Sequence, residues 1–307
     1  MFEEYSNTCK TNIQWPVCVT DARRFVVWAL GTKKLKSSTV KTYLASLKLA
    51  HTLKNLPCPG YVNDDIIKMA LKGAENLECI SGNSSVQRAP ITMNILQILG
   101  HRIAECNWKN FSKQTIWTVF LINYFTACRT GELVCPTENS FDDHTTLLWK
   151  HVTIYIDYAT IFIPFTKTKG FKGHTLEIFP FAIDSCCPLS ALTNLEKMSK
   201  DSGIWNVNLP VFTFLSGKFV TTSKLNDTLN SMLADITEGK TVKYTCHSFR
   251  AGIPSLISNY PDKNYVADLL EWGEWNSPTW KIYAKSSHNR KKFLFNKVSN
   301  VICNSLK

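Results

Sequence analysis

Residues 147–165 read LLWKHVTIYIDYATIFIPF, and this stretch decides the fold class. Before it, apolar residues recur at helical spacing. Within it the period drops to two, as a half-buried strand requires. Residues 147–156 and 160–165 read as two strands joined by a turn at Asp157 and Tyr158, and a third strand is expected over 175–179. Outward from this stretch the helical period returns on both sides. Upstream, Thr92 caps an expected helix through Ile95, Leu96, Leu99 and Ile103. A second helix begins at Ser112 and runs apolar through Trp117, Val119, Phe120, Ile122 and Phe125. Downstream, helices are expected over 188–198, over 223–236 and from His247 onward. The fold class is mainly α with a small antiparallel β-sheet.

The first ninety or so residues read as helices and turns. Asp21 opens the segment DARRFVVWAL, which Gly31 ends. Ser37 and Ser38 offer an N-cap for a longer helix with Val40, Tyr43, Leu44 and Leu47 on one stripe. A third helix follows Asn63 and uses Ile66, Ile67, Met69 and Leu71. Residues 80–90, ISGNSSVQRAP, have linker composition. The expected division is a helical domain over 1–87 and a larger domain over 88–307, with no internal repeat.

The 307 residues include 35 Lys and Arg against 24 Asp and Glu, a formal charge of +11. That balance makes a polyanion the first partner to consider. Lys33, Lys34, Lys36, Lys41 and Lys48 lie before or opposite the apolar stripe of the second helix and are candidate phosphate contacts. No apolar run is long enough to cross a bilayer; residues 116–128 are too few and are interrupted by Asn123. The first residues, MFEEYSNTCK, lack the order of a secretory signal, so an intracellular protein without a membrane span is expected. The eleven cysteines form no C-x-x-C pair and read as reduced, buried thiols.

Four short segments could carry chemistry. Residues 125–133, FTACRTGEL, set Arg129 at the end of an apolar helix with Glu132 one turn on. Residues 165–169, FTKTK, put Lys167 at a hairpin tip, with Lys169 and Lys172 as nearby competitors. Residues 246–252, CHSFRAG, space His247 and Arg250 at i, i+3, on one helix face. Residues 273–283, GEWNSPTWKIY, lead through Trp275 and an N-cap at Ser277 to Tyr283. Each segment alone has an ordinary structural explanation. A tyrosine with a phenol near pKa 10 is a poor nucleophile unless cations surround it.

Taken together and in order, the segments resemble the active site of the tyrosine recombinase (phage-integrase) family. The family's first arginine box reads T-G-x-R-x-x-E-L, and residues 126–133 match it with Ala127 in the glycine position. Ala127 is expected only to add a little bulk there. Gly-x-Trp-x-Ser, with Tyr283 eight residues after Trp275, is most similar to recombinases of eukaryotic Crypton and DIRS-like mobile elements. The resemblance implies a helical, SAM-like core-binding domain and a catalytic domain of the DNA breaking-rejoining fold.

It also implies roles. Arg129, Arg250, His247 and Trp275 would hold the scissile phosphate, and Glu132 would orient the histidine or an arginine. Tyr283 would attack and join the DNA 3′ phosphate, while Lys167 protonates the departing 5′ oxygen. The covalent bond conserves phosphodiester energy, so neither cofactor nor metal is required. Double-stranded DNA is the implied partner, gripped between the two domains. The implied assembly is a homotetramer on DNA, coupled by the segment after Tyr283, where Phe293, Leu294, Phe295, Val298, Val301 and Ile302 make an apolar stripe. Nuclear localisation follows only from the family subtype and the short basic cluster at 289–292. The competing readings are a type IB topoisomerase-like enzyme and a domesticated, non-catalytic DNA-binding protein.

Overall fold

A computed structural model describes residues 1–9, 14–57, 59–81, 87–166, 170–237, 242–258 and 288–306. The chain divides into two compact units, Met1–Val86 and Gln87–Lys307.

The first unit is helical: α1 (Phe2–Cys9), α2 (Val19–Val27), α3 (Ser37–Leu53) and α4 (Asp65–Ile80). Its core gathers Tyr5, Phe25, Trp28, Val40, Leu47, Tyr61, Ile67 and Leu71. Two helix starts differ from expectation, and at one of them a carboxylate from another helix supplies the cap. Cys18 caps α2, its sulfur accepting from the Asp21 N–H, so Asp21 sits in the first turn. Ser37 is already helical and its N–H donates to Glu78 Oε1 at 2.6 Å, so a carboxylate from α4 does the work expected of a serine cap. Asp64 caps α4 through the Ile67 N–H. The apolar stripe expected on α4 is half right: Ile67 and Leu71 are buried, whereas Ile66 and Met69 face solvent. His51 is buried. Its Nε2 accepts from the Val17 N–H at 3.0 Å, and its Nδ1 lies 2.8 Å from the Leu47 carbonyl.

The second unit opens with β1 (Gln87–Arg88), which pairs in parallel with β5 (Val242–Lys243). The helices α5 (Met93–Glu105), α6 (Asn110–Thr126) and α7 (Thr130–Leu133) follow. Then comes an antiparallel sheet, β2 (Val152–Ile154), β3 (Ala159–Ile163) and β4 (His174–Ile178), in the order β2-β3-β4. The small antiparallel sheet in a mainly helical chain is as expected, but its strands are shorter. Leu148 bridges to Pro210, and residues Trp149–His151 turn as a 3-10 helix with the His151 Nδ1 accepting the Leu148 N–H. At the other end Pro164, lacking an N–H, follows the last residue of β3.

Among the described residues five more helices follow: α8 (Pro188–Asp201), α9 (Thr222–Met232), α10 (Ala234–Thr237), α11 (Cys246–Ser258) and α12 (His288–Ser305). The single helix expected over 223–236 is broken at Leu233. Arg102 of α5 donates to the Met232 carbonyl and grips Asp235 through two bonds of 2.6 and 2.7 Å, capturing the end of α9. α6 is buried nearly all round and forms the axis of the core, flanked by α8, α11 and β4. Leu294, Phe295, Val298, Val301 and Ile302 of α12 are buried against their own unit, with the Phe295 ring 5.8 Å from Phe125 and 5.5 Å from Phe179. Phe293 is exposed and does not belong to that stripe.

Cys128, Cys135, Cys186, Cys187 and Cys246 are buried free thiols, as expected, but Cys9, Cys18 and Cys79 are exposed. No helix among the described residues is long and apolar enough to cross a membrane.

Candidate active site

The site begins where α6 stops. Ala127 adopts φ 49° and ψ 23°, the left-handed conformation that closes many helices. The expectation that Ala127 merely adds bulk is therefore corrected. Its cost is conformational, since a Cβ in this region costs about 1–2 kcal/mol that glycine avoids. The reversal separates Arg129 from α6 and makes it the residue before α7, rather than an extension of the apolar helix. Its backbone N–H donates to Glu132 Oε2 at 3.2 Å and its Nη1 to Glu132 Oε1 at 3.1 Å. Glu132 thus holds both the main chain and the side chain of Arg129.

Beneath this corner runs a buried polar ladder. Asn123 Nδ2 donates to Thr130 Oγ1 at 3.0 Å, the Cys128 thiol donates to Asn123 Oδ1 at 3.6 Å, and the Thr130 hydroxyl reaches the Cys246 carbonyl at 3.5 Å. The last of these ties the arginine corner to the start of α11. From its other side Cys246 donates its N–H to Asn226 Oδ1 of α9 at 2.8 Å. Ser248 Oγ accepts the Thr245 N–H at 3.0 Å and closes the helix start.

α11 presses on α6 through two residues. Phe249 stacks on Phe120 with centroids 4.9 Å apart. Gly252 lies so close to the chain before α5 that a Cβ there would come within 2.3 Å of the Ile91 carbonyl oxygen and 2.9 Å of the Tyr124 ring. With Ser248 and Phe249 buried, His247 is exposed and Arg250 half-buried.

Electrostatics identify Arg250's neighbours. Burial holds the Arg250 guanidinium below its ordinary pKa, and the Arg129 guanidinium adds to that depression; Glu132 and Cys128 oppose it. The Cys128 thiol is pushed up to about 12, chiefly by burial, with Glu132 acting in the same direction and the Thr126 hydroxyl and Arg250 against it. Arg129, Glu132 and Arg250 therefore share one field. The site is a half-buried surface, and forked guanidinium donors there suit a phosphate oxygen.

The structure brings together Arg129, Glu132 and Arg250, and sets His247 one turn before Arg250 on α11. Lys167, its competitor Lys169, Trp275 and Tyr283 lie outside the described residues; Lys172 is exposed. All five candidate lysines of the first unit are exposed, but two already have partners: Lys33 pairs with Glu4 and lies 5.5 Å over the Trp28 ring, and Lys41 pairs with Glu75.

Sequence reasoning missed the supporting residues. Asn123 registered only as an interruption of an apolar run, and Thr130 and Gly252 not at all. A buried asparagine seven residues before a threonine has no local signal. Among the described residues the gathered potential metal ligands are Asp142, Asp143 and His144, all exposed. Asp142 is already used, accepting from the His144 N–H and the Thr145 hydroxyl at 3.0 and 3.2 Å.

No protein-family model and no curated protein matches the sequence. Solved structures do. A XerH site-specific recombinase bound to a palindromic difH substrate, in a post-cleavage complex, superposes with a TM-score of 0.55 at 15% identity, covering 94% of this chain and 74% of that one. The XerH pre-cleavage complex gives 0.42 at 17% identity over 65% of this chain, which spans 51% of that chain's length. An FLP recombinase–Holliday junction complex gives 0.44 at 14% identity, covering 97% and 79%. At these identities the likeness to the post-cleavage XerH chain is a likeness of fold: the chain has the tyrosine-recombinase fold.

Proposed function

We propose that the chain is a site-specific DNA recombinase or integrase that cuts and rejoins duplex DNA through a 3′-phosphotyrosine. The observation that carries this reading is the pair of guanidiniums, Arg129 and Arg250, sharing one field with Glu132 in a chain of this fold. A phosphodiester resists attack because its non-bridging oxygens are negative, and the transition state concentrates charge on them. Donors already fixed there stabilise that state without reorganisation. In this reading Tyr283 attacks phosphorus in line, and its bond to the 3′ phosphate replaces the bond to the 5′ oxygen. Lys167 gives that oxygen its proton, His247 and Trp275 add hydrogen bonds to the phosphate, and Glu132 keeps Arg129 aimed.

The finer parts of the reading are a mobile-element role of the Crypton or DIRS-like kind, action in the nucleus, and a grip on duplex DNA by the units before and after residue 87. The lysines of α3 and its approach would touch phosphate, with Lys34, Lys36 and Lys48 ahead of the carboxylate-paired Lys33 and Lys41. Four protomers would meet on paired sites. α12, which here packs on its own core, would be exchanged between neighbours, because an identical element can make the same contacts in a partner as at home.

The test is a covalent adduct. Incubation with duplex oligonucleotides carrying candidate element ends, followed by denaturing gels, should give a protein–DNA band that Tyr283→Phe abolishes while DNA binding persists. An adduct that survives Tyr283→Phe moves the nucleophile elsewhere. DNA binding without any adduct favours the non-catalytic reading, and relaxation of supercoils without exchange between two sites favours the topoisomerase-like one.

A further inference from the structure

Beyond the end of the β3–β4 ladder the chain builds a second, separate turn. Thr166 and Gly170 exchange both backbone hydrogen bonds, at 3.2 and 2.8 Å. The chain then turns again over Gly170–Gly173, with the Gly173 N–H donating to the Gly170 carbonyl at 3.4 Å. Gly170 and Gly173 have φ of 59° and 64°, and the Phe162 ring and Ile163 carbonyl leave no room for a Cβ at Gly173. Two glycines in the left-handed region thus build this turn, and its two corners are Phe171 and Lys172.

Phe171 is 70% exposed, and its ring contacts that of Phe165, itself half-exposed, at 5.0 Å. Burying a phenylalanine is worth about 1.5–3 kcal/mol, which this corner forgoes. Along the chain the stretch between Asp157 and Glu177 is of one sign: residues 158–176 contain three lysines and no acidic residue. An exposed apolar ring next to Lys172 in a stretch without a carboxylate complements a surface that is negative outside and stacked and apolar within. Duplex DNA has that character, its phosphates flanking base faces that a ring can contact once a step is opened.

We propose that Phe171, backed by Phe165 and flanked by Lys172, is an aromatic wedge that stacks against a base at an opened step of duplex DNA. The proposal rests on the reading of this chain as a DNA enzyme and deepens it: the wedge supplies contact with base faces, which phosphate-binding arginines cannot. It is a positioning element and takes no part in bond breaking.

The experiment compares the full chain with Phe171→Ala, Phe171→Tyr and Lys172→Ala. The probes are a short random-sequence duplex and the same duplex with one central abasic site, where a step is already open; fluorescence anisotropy is read across a salt series. The wild-type protein should prefer the abasic duplex by a factor on the order of ten. Phe171→Ala should erase that preference without changing the salt slope, and Phe171→Tyr, which keeps the ring, should retain it. Lys172→Ala should weaken both duplexes alike and lower the slope by about one. The wedge is overturned if the wild type shows no preference, if Phe171→Ala keeps it, or if Phe171→Tyr loses it as fully as alanine does. Absence of duplex binding by the wild type would instead overturn the DNA-enzyme reading, and the wedge with it. Thermal melting of each variant separates loss of stacking from loss of fold.

Discussion

Arg23 in the first unit and Arg129 in the second stand beside a carboxylate at the start of a helix, and their exposures are almost identical. The side chains are 40% and 10% exposed in the Arg23–Asp64 pair, against 39% and 12% in the Arg129–Glu132 pair. Geometry separates them. Arg23 meets Asp64 fork to fork, Nε to Oδ1 at 3.1 Å and Nη2 to Oδ2 at 2.6 Å, and Asp64 also caps α4. That hydrogen bonding raises the Arg23 pKa and lowers that of Asp64. Arg129 meets Glu132 through Nη1, while Arg250 lies in the field of the same carboxylate. A forked pair is closed and holds a fold together. An end-on pair with a second guanidinium in its field still has charge to offer a ligand.

The contrast breaks or holds first on activity. Arg129→Ala and Arg250→Ala should each reduce adduct formation by a factor on the order of 10² to 10³, the cost of one lost donor to a developing oxyanion. Arg23→Ala should leave the adduct rate of the folded protein unchanged and lower the melting temperature instead. Equal losses of activity in all three would erase the distinction.

Glycines sharpen it next. Gly252→Ala forces a Cβ against the Ile91 carbonyl and should destabilise the protein by about 3 kcal/mol. Gly73→Ala, mid-helix in α4 with nothing within 4 Å of the added carbon, should stabilise by about 1 kcal/mol. Chemical denaturation of the full-length variants measures both. Similar signs would mean that α11 has room to shift on α6.

The two units should also fail at opposite ends of the pH scale. Asp64 is depressed in the folded state, so its contribution is present above the ordinary carboxylate range and is lost as pH falls through the lower folded value. The thiols of Cys128, Cys135 and Cys246 are pushed up to about 12 by burial. Their contribution is intact below about pH 8.5 and falls above it, where the unfolded chain sheds protons that the folded one keeps. Hydrogen exchange resolved by region should show 1–86 loosening first in acid and 87–258 first in alkali. Asp64→Asn should remove part of the acid limb alone.

The smallest effect is at the corner itself. Ala127→Gly relieves a left-handed alanine and should add about 0.5–1 kcal/mol of stability with the adduct rate maintained. A loss of stability would mean that the buried methyl contributes more than its conformation costs.

Alternation over 147–165 and helical spacing on either side were enough to specify a helical chain with a three-stranded sheet, because burial of one face imposes its period on the sequence. The pairings His247 with Arg250 and Arg129 with Glu132 were legible for a similar reason: neighbours three apart share a helix face or turn whatever surrounds them. Distance along the chain hid the rest. Glu78 capping Ser37, Arg102 bonded to Met232 at the end of α9, Thr130 bonded to Cys246, and Gly252 lying on the Ile91 carbonyl join residues 41, 130, 116 and 161 positions apart. No periodicity records such contacts. Sequence by itself determined which residue types were present and which local faces they shared. Only the tertiary structure decided that Arg129 and Arg250 occupy one field, since that depends on α11 packing against α6 closely enough for both guanidiniums to feel Glu132.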